Sequence, residues 1–221
     1  MDTSTTSVSR VIPALFTVNC AFLLAGYAVD LIFGNGTFTY WFGFIPYRLT
    51  HGILSLDPGG FAYGVFTGIS YAFLHGGIMH FFSNMAILML FGAYVEESMG
   101  SRKFLGFYLL CGFLAALFHM LFNFTTSGAV IGASGAVSGI GGAFIVLLLY
   151  RKIPVNSFTL MGTVVIAMWL WGQFQGAFQD LIGSNATGIA YLTHLGGFLA
   201  GFAISMLSQR QKSSNKIPSE K

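Results

Sequence analysis

The chain reads as an all-α polytopic membrane protein, and three observations predict it. Of 221 residues, 55% are apolar or aromatic and 8% are charged, against about 25% charged in an ordinary soluble domain. Mean hydropathy is +0.74. The apolar residues also gather into long runs, and about 20 of them in succession suffice to cross a bilayer as a helix.

Uncharged or nearly uncharged runs cover 11–33, 78–95, 104–124, 133–150, 158–175 and 189–208. They predict a bundle of six transmembrane helices, with one membrane unit over 11–208 and polar, disordered tails at 1–10 and 209–221. The first run carries Arg10 on its flank but is too long for a secretory signal core, and five more follow. The connection over 34–77 is too long for a plain turn and carries Tyr40, Trp41, Phe42, Phe44, Phe61, Tyr63 and Phe66 among glycines. Aromatic side chains favour the membrane surface, so a long interfacial loop in the outer leaflet is expected there.

Arg10, Arg102, Lys103, Arg151, Lys152, Arg210, Lys212, Lys216 and Lys221 fall on one side of a six-span weave, and Arg48 alone on the other. Basic residues are retained in the cytoplasm, so both termini are expected there, in a bacterial inner membrane. The net charge of +3 is spread in ones and twos, with no basic stripe for nucleic acid. Cys20 and Cys111 lie inside apolar runs and read as buried hydrophobes.

Polar groups inside spans are costly and therefore point to function. Near the start of the second span stand His75, His80 and Asn84, at the start of the fourth Ser134, and near the start of the sixth His194. Alternate spans run in the same direction, so these groups share one layer of the outer leaflet. Gly135, Ser138, Gly139, Gly141 and Gly142 in the fourth span, with Gly196, Gly197 and Gly201 in the sixth, form small surfaces on which membrane helices pack closely. Ser134 and His194 are then within reach as nucleophile and base. His80 and Asn84, one turn apart, with the Ser134 N–H, suit an oxyanion hole. Asp180 is the only carboxylate that can be considered as a third member, and a Ser-His dyad is preferred. Ser138 lacks a glycine two residues before it and reads as a packing residue, as do the methionines; Glu96 with Arg102 or Lys103 reads as a structural polar cluster.

The motifs resemble those of the rhomboid family of intramembrane serine proteases. His75-Gly76-Gly77-Ile78-Met79-His80-Phe81-Phe82-Ser83-Asn84 is similar to that family's HxxxxHxxxN signature. Gly132-Ala133-Ser134-Gly135 matches its GxSG, and His194-Leu195-Gly196-Gly197 with Gly201 resembles its last-helix motif. The resemblance implies a six-helix core, nucleophile Ser134, base His194 and an oxyanion pocket from His80 and Asn84. His75, Gly132, Gly135 and Gly197 would support the site. It further implies transmembrane-helix substrates cut near their outer end, no cofactor, no metal, and a fifth helix with Trp169, Trp171 and Phe174 facing the substrate. The chain departs from the family in three places, one of them Thr193, which stands before His194 where alanine is common. Phe66-Thr67 stands where a Trp-Arg pair anchors the interfacial loop. Ser138 stands where some members stack a tyrosine on the histidine, which leaves His194 held by glycine packing alone.

Other classes fit less well. A zinc peptidase needs a carboxylate beside helical histidines, as in HExxH, and none stands near His75, His80 or His194. A transporter predicts an inverted repeat that the chain lacks. A catalytically inactive relative that binds transmembrane helices is the remaining alternative, although such proteins typically lose the serine or the histidine.

Overall fold

The computed structural model describes residues 11–182 and 190–214. The expected 1–10 tail lies outside these residues. The helices are α1 (Val11–Phe33), α2 (Thr37–Phe42), α3 (Pro46–Leu54), α4 (Pro58–Ser70), α5 (Ile78–Met99), α6 (Ser101–Asn123), α7 (Ser134–Leu149), α8 (Ser157–Leu181) and α9 (Tyr191–Ser214), with a 3-10 turn at Tyr71–Phe73. Among the described residues there is no strand, only an isolated bridge between Phe44 and Val130.

Among the described residues five helices, α1, α5, α6, α8 and the Tyr191–Gln211 part of α9, are long and apolar enough to cross a membrane. Their outward faces are apolar: Leu31, Met168 and Trp171 are 87%, 71% and 62% exposed, which only a hydrocarbon surrounding tolerates on this scale. The fourth predicted span is α7, with 16 residues. It is about 24 Å long, short of the ~30 Å of a hydrocarbon core. The shortness follows from position, since α7 starts at Ser134 within the bundle and Gly135 to Ala143 are all buried. At the other end of the bundle, α9 runs through Ser214, past the boundary expected at 208, because Gln, Arg and Lys sustain a helix beyond its apolar part. Residues 215–221 lie outside the described ones.

The 34–77 connection is three short helices rather than a loop. Pro46 and Pro58 open α3 and α4 at the position where proline's missing N–H costs nothing, and Asp57 caps α4 by accepting from Gly59 N at 3.0 Å. Lacking the Trp-Arg pair, the segment is tied by Arg48. Its guanidinium lies 4.1 Å from the Tyr40 ring centre and 5.3 Å from that of Tyr63, and it donates to the Tyr40 carbonyl. Tyr63 in turn donates to the Trp41 carbonyl at 2.6 Å. The arginine that ties this segment thus comes from α3 and not from the position beside Phe66.

Glu96 is 3% exposed and sits where α1 and α6 begin. It accepts from Val11 N at 3.3 Å and from Ser101 Oγ at 2.6 Å, so its charge faces two helix N-termini. Among the described residues it has no hydrogen bond to Arg102 or Lys103, the partners expected from sequence. Asn156 and Thr159 exchange hydrogen bonds of 3.0 Å in a capping box that starts α8.

Among the described residues the closest helix approach is between α7 and α9. A Cβ added at Gly197 would stand 1.9 Å from the Gly135 carbonyl oxygen, and one at Gly201 2.0 Å from that of Gly139. Both pairs step by four residues in the same direction, so the two helices run parallel with their backbones touching. Cβ atoms at Gly142 and Gly139 would likewise strike the Phe198 carbonyl, at 2.3 Å, and Cys111. A Cβ at Gly141, by contrast, meets nothing nearer than 4.0 Å. Gly197→Ala must therefore push the helices apart, at a cost of about 1–3 kcal/mol or more. Gly141→Ala gains helix propensity and loses nothing. Thermal unfolding in detergent is expected to show a fall in Tm of several degrees for Gly197→Ala and none for Gly141→Ala; equal behaviour of the two contradicts the packing.

Candidate active site

The backbone leading to Ser134 is held by the 34–77 segment. Val130 and Phe44 exchange backbone hydrogen bonds of 2.8 and 3.0 Å, and Gly132 N donates to the Tyr71 carbonyl at 2.9 Å. Tyr71 is itself buried and fixed by its hydroxyl, which donates to the Gly112 carbonyl at 2.7 Å. Gly132 has φ of +125°, a conformation that turns the chain into α7 and that a side chain resists. Ser134 is the first residue of α7, so the unpaired N–H groups and positive end of that helix lie at its hydroxyl.

His194 lies in the first turn of α9, three residues before Gly197, the first of the glycines that touch α7. Its Nε2 is 2.8 Å from Ser134 Oγ. The contact follows from the glycines: Gly135 leaves room for Tyr71, Ala115 and Thr193, whose atoms would otherwise be 2.7–3.1 Å from a Cβ there. The other ring nitrogen, Nδ1, is 2.6 Å from Oε1 of Gln173 on α8. The Trp169 ring, one turn earlier on α8, lies 5.8 Å from the His194 ring at 39°. His194 is thus gripped on three sides, and the expectation of glycine packing alone is corrected.

His80 and Asn84 lie on α5. The Gly76 N–H donates to His80 Nδ1 over a long 3.4 Å, which leaves the proton of a neutral ring on Nε2. That nitrogen faces Gly132: a Cβ built there would be 2.7 Å from His80 Nε2 and 3.5 Å from Ser134 Oγ. The missing side chain therefore leaves a small space bounded by a hydroxyl and an imidazole donor. Asn84 is buried and spends one amide hydrogen on the His80 carbonyl at 2.9 Å, one turn below. His75 lies in the turn before α5, edge-on to His80 and Phe81 with ring centres 5.1 and 5.4 Å away. Burial first, and then the neighbouring His80, lower its pKa to about 4, so it packs as a neutral ring.

Two sequence candidates lie apart from this group. Ser138 is buried and donates to the Ser134 carbonyl within its own helix. Asp180, two turns beyond Gln173, lines a cavity of about 350 Å³ with His119, Asn123 and Leu192 and makes no hydrogen bond to His194. Among the described residues, no three His, Cys, Asp or Glu side chains are grouped so as to hold a metal ion. Gln173 is the residue that sequence reasoning missed. It is a polar group in the apolar Trp169–Phe178 stretch, but so is Gln175, and nothing in the local pattern aims either amide at His194.

The family model described as the rhomboid domain matches residues 62–211, more than half of the chain. The chain belongs to the rhomboid family. Similar curated proteins include RHOMBOID-like protein 5 of Arabidopsis thaliana, 30% identical over 63% of this chain and 42% of its own length. Rhomboid protein 1, mitochondrial, of Saccharomyces cerevisiae is 30% identical over 65% of this chain and 43% of its own. The putative rhomboid protease YdcA of Bacillus subtilis is 27% identical over 63% of this chain and 65% of its own. The chain spans less than half of the plant and yeast proteins. Relatives from plants, yeast and a bacterium do not single out a bacterial inner membrane, so that expectation has no support among them. This rhomboid chain is a multi-span membrane protein, and the matched region contains every residue of the group described above.

The space beside Gly132 generates a stability prediction. Gly132→Ala combines a strained φ with a clash on His80, at about 1–3 kcal/mol for the backbone alone. Thermal unfolding should show a lowered Tm for Gly132→Ala and partial recovery in the Gly132→Ala, His80→Ala double variant, since removing the ring relieves the clash but not the strain. Strict additivity of the two changes would mean that His80 does not face Gly132.

Proposed function

We propose that this rhomboid chain is an intramembrane serine endopeptidase that cuts transmembrane helices through a Ser134-His194 dyad. The observation that carries the reading is the 2.8 Å contact between Ser134 Oγ and His194 Nε2 at the start of α7. In this reading α1 and α5–α9 form the six-helix bundle, with 34–77 lying in the membrane surface. The Ser134 end faces outward and both termini the cytoplasm, since the basic residues cluster at the opposite helix ends.

His194 Nε2 takes the hydroxyl proton as Ser134 Oγ bonds to the scissile carbonyl carbon. The carbonyl oxygen then becomes an oxyanion, placed beside the α7 N-terminus in the space that Gly132 leaves, where His80 Nε2–H and Asn84 can donate. The protonated His194 next gives its proton to the departing amine, and a water repeats the cycle on the acyl-enzyme. No step calls on a metal or cofactor. Ser134 begins a short helix inside the bundle, so a substrate helix must unwind locally for its carbonyl to arrive there.

A fluorophosphonate probe tests the dyad in detergent micelles. Wild type is expected to be labelled, with labelling abolished in Ser134→Ala and His194→Ala, retained in Ser138→Ala, and slowed by about 10²-fold or more in His80→Ala. Retained labelling of Ser134→Ala would overturn the assignment. A folded wild type that is not labelled would favour the alternative, a rhomboid relative that binds transmembrane helices without cutting them.

A further inference from the structure

A histidine base needs its second ring nitrogen satisfied in a fixed way, because the proton must sit on Nδ1 for Nε2 to accept from serine. Serine hydrolases commonly meet this need with a carboxylate. Here the group at Nδ1 is the uncharged side chain of Gln173. Its Nε2 donates to the Trp169 carbonyl at 3.4 Å, the i−4 position of α8, so the amide nitrogen is turned toward its own helix. The amide oxygen then faces His194, at 2.6 Å. An amide oxygen only accepts, so His194 Nδ1 must donate, and Nε2 is left as the acceptor for the Ser134 hydroxyl. From this rests a chain of three bonds with one direction: Ser134 O–H to His194 Nε2, His194 Nδ1–H to Gln173 Oε1, Gln173 N–H to Trp169 O.

We infer that Gln173 is the positioning residue of the dyad, fixing the tautomer and ring orientation of His194. This rests on the peptidase reading given above. The reaction leaves Gln173 unchanged: the serine proton moves to His194 Nε2 and on to the leaving amine, while the Nδ1 proton stays in place. An amide suits the setting, since it gives the required acceptor without bringing a carboxylate into an apolar environment. Of the titratable groups on neighbouring elements, neither His80 on α5 nor His119 on α6 bonds to Nδ1, whose partner is Gln173. Because Gln173 and Trp169 both belong to α8, the base is held by a helix other than the α7–α9 pair that sets its distance from Ser134.

The test compares wild type with Gln173→Leu and Gln173→Glu, using fluorophosphonate labelling rates and ¹⁵N NMR of the histidine rings in detergent micelles, with the His194 signals assigned by their absence from His194→Asn. Wild type is expected to show the Nδ1–H tautomer of a neutral His194. Gln173→Leu, with an unchanged Tm, should populate the Nε2–H tautomer and lose about 10²-fold in labelling rate, the lower part of a general base's contribution. Gln173→Glu keeps an acceptor and should restore most of the rate. An unaltered tautomer and rate in Gln173→Leu would overturn the assignment, as would equal loss in the leucine and glutamate variants accompanied by a fall in Tm. A wild type that is not labelled would refute the peptidase reading, and the tautomer comparison would still decide the role of Gln173.

Discussion

Everything at the site depends on α7 and α9 touching through their backbones. A side chain at Gly197 or Gly201 would drive α9 off the α7 backbone and take the imidazole out of hydrogen-bond range of the hydroxyl, while one at Gly135 or Gly139 would strike Tyr71, Ala115 or Cys111 on the other side of α7. In a bilayer the hydrophobic effect does little to draw helices together, because lipid tails are as apolar as leucine. Close backbone packing supplies the attraction instead. The same glycines that hold the bundle together thus set the geometry of Ser134 and His194, so that stability and proposed chemistry are encoded in one stripe of each helix.

Around that contact, polar groups are few and mostly uncharged. Gln173, Asn84 and His80 are uncharged, and in the proposed reaction Gln173 stands where a water-soluble serine hydrolase uses a carboxylate, as expected where a buried charge is expensive. Each is oriented by its own backbone: Gln173 by the Trp169 carbonyl, Asn84 by the His80 carbonyl, and His80 by the Gly76 N–H. The charged exception, Glu96, lies at the far end of α5, where it accepts from the starts of α1 and α6. The 34–77 segment adds a second frame, since Phe44 and Tyr71 fasten the strand of backbone that delivers Ser134.

Much of this is legible from residues alone, for physical reasons. Long apolar runs are unambiguous, and the six long helices begin within three residues of the predicted starts, although α8 and α9 run six residues past the ends expected at 175 and 208. Ser134, His80 and His194 could be singled out because polar groups in apolar runs are few, and alternate spans put their starts in one layer. Three features were not legible. The depth of α7 was hidden, because hydropathy marks its limits, 133–150 against Ser134–Leu149, but not that the helix starts inside the bundle. The helices α2–α4 were hidden because short glycine- and aromatic-rich helices have no apolar period to read, and their anchor, Arg48, lies distant in sequence from Tyr63. Gln173 was passed over because its partner is 21 residues away on another helix, and nothing in local pattern marks an amide as facing a particular imidazole.

The most direct measurement of the central claim is a crystal structure of the chain after reaction with a phosphonate inhibitor. Phosphorus is expected on Ser134 Oγ, with its oxygen lying beside Gly132 within about 2.7–3.1 Å of His80 Nε2. His194 should remain between Ser134 and Gln173, with α7 and α9 still in contact at Gly135 and Gly197. Phosphorus on any other residue, or on Ser134 with its oxygen turned away from His80, would contradict it.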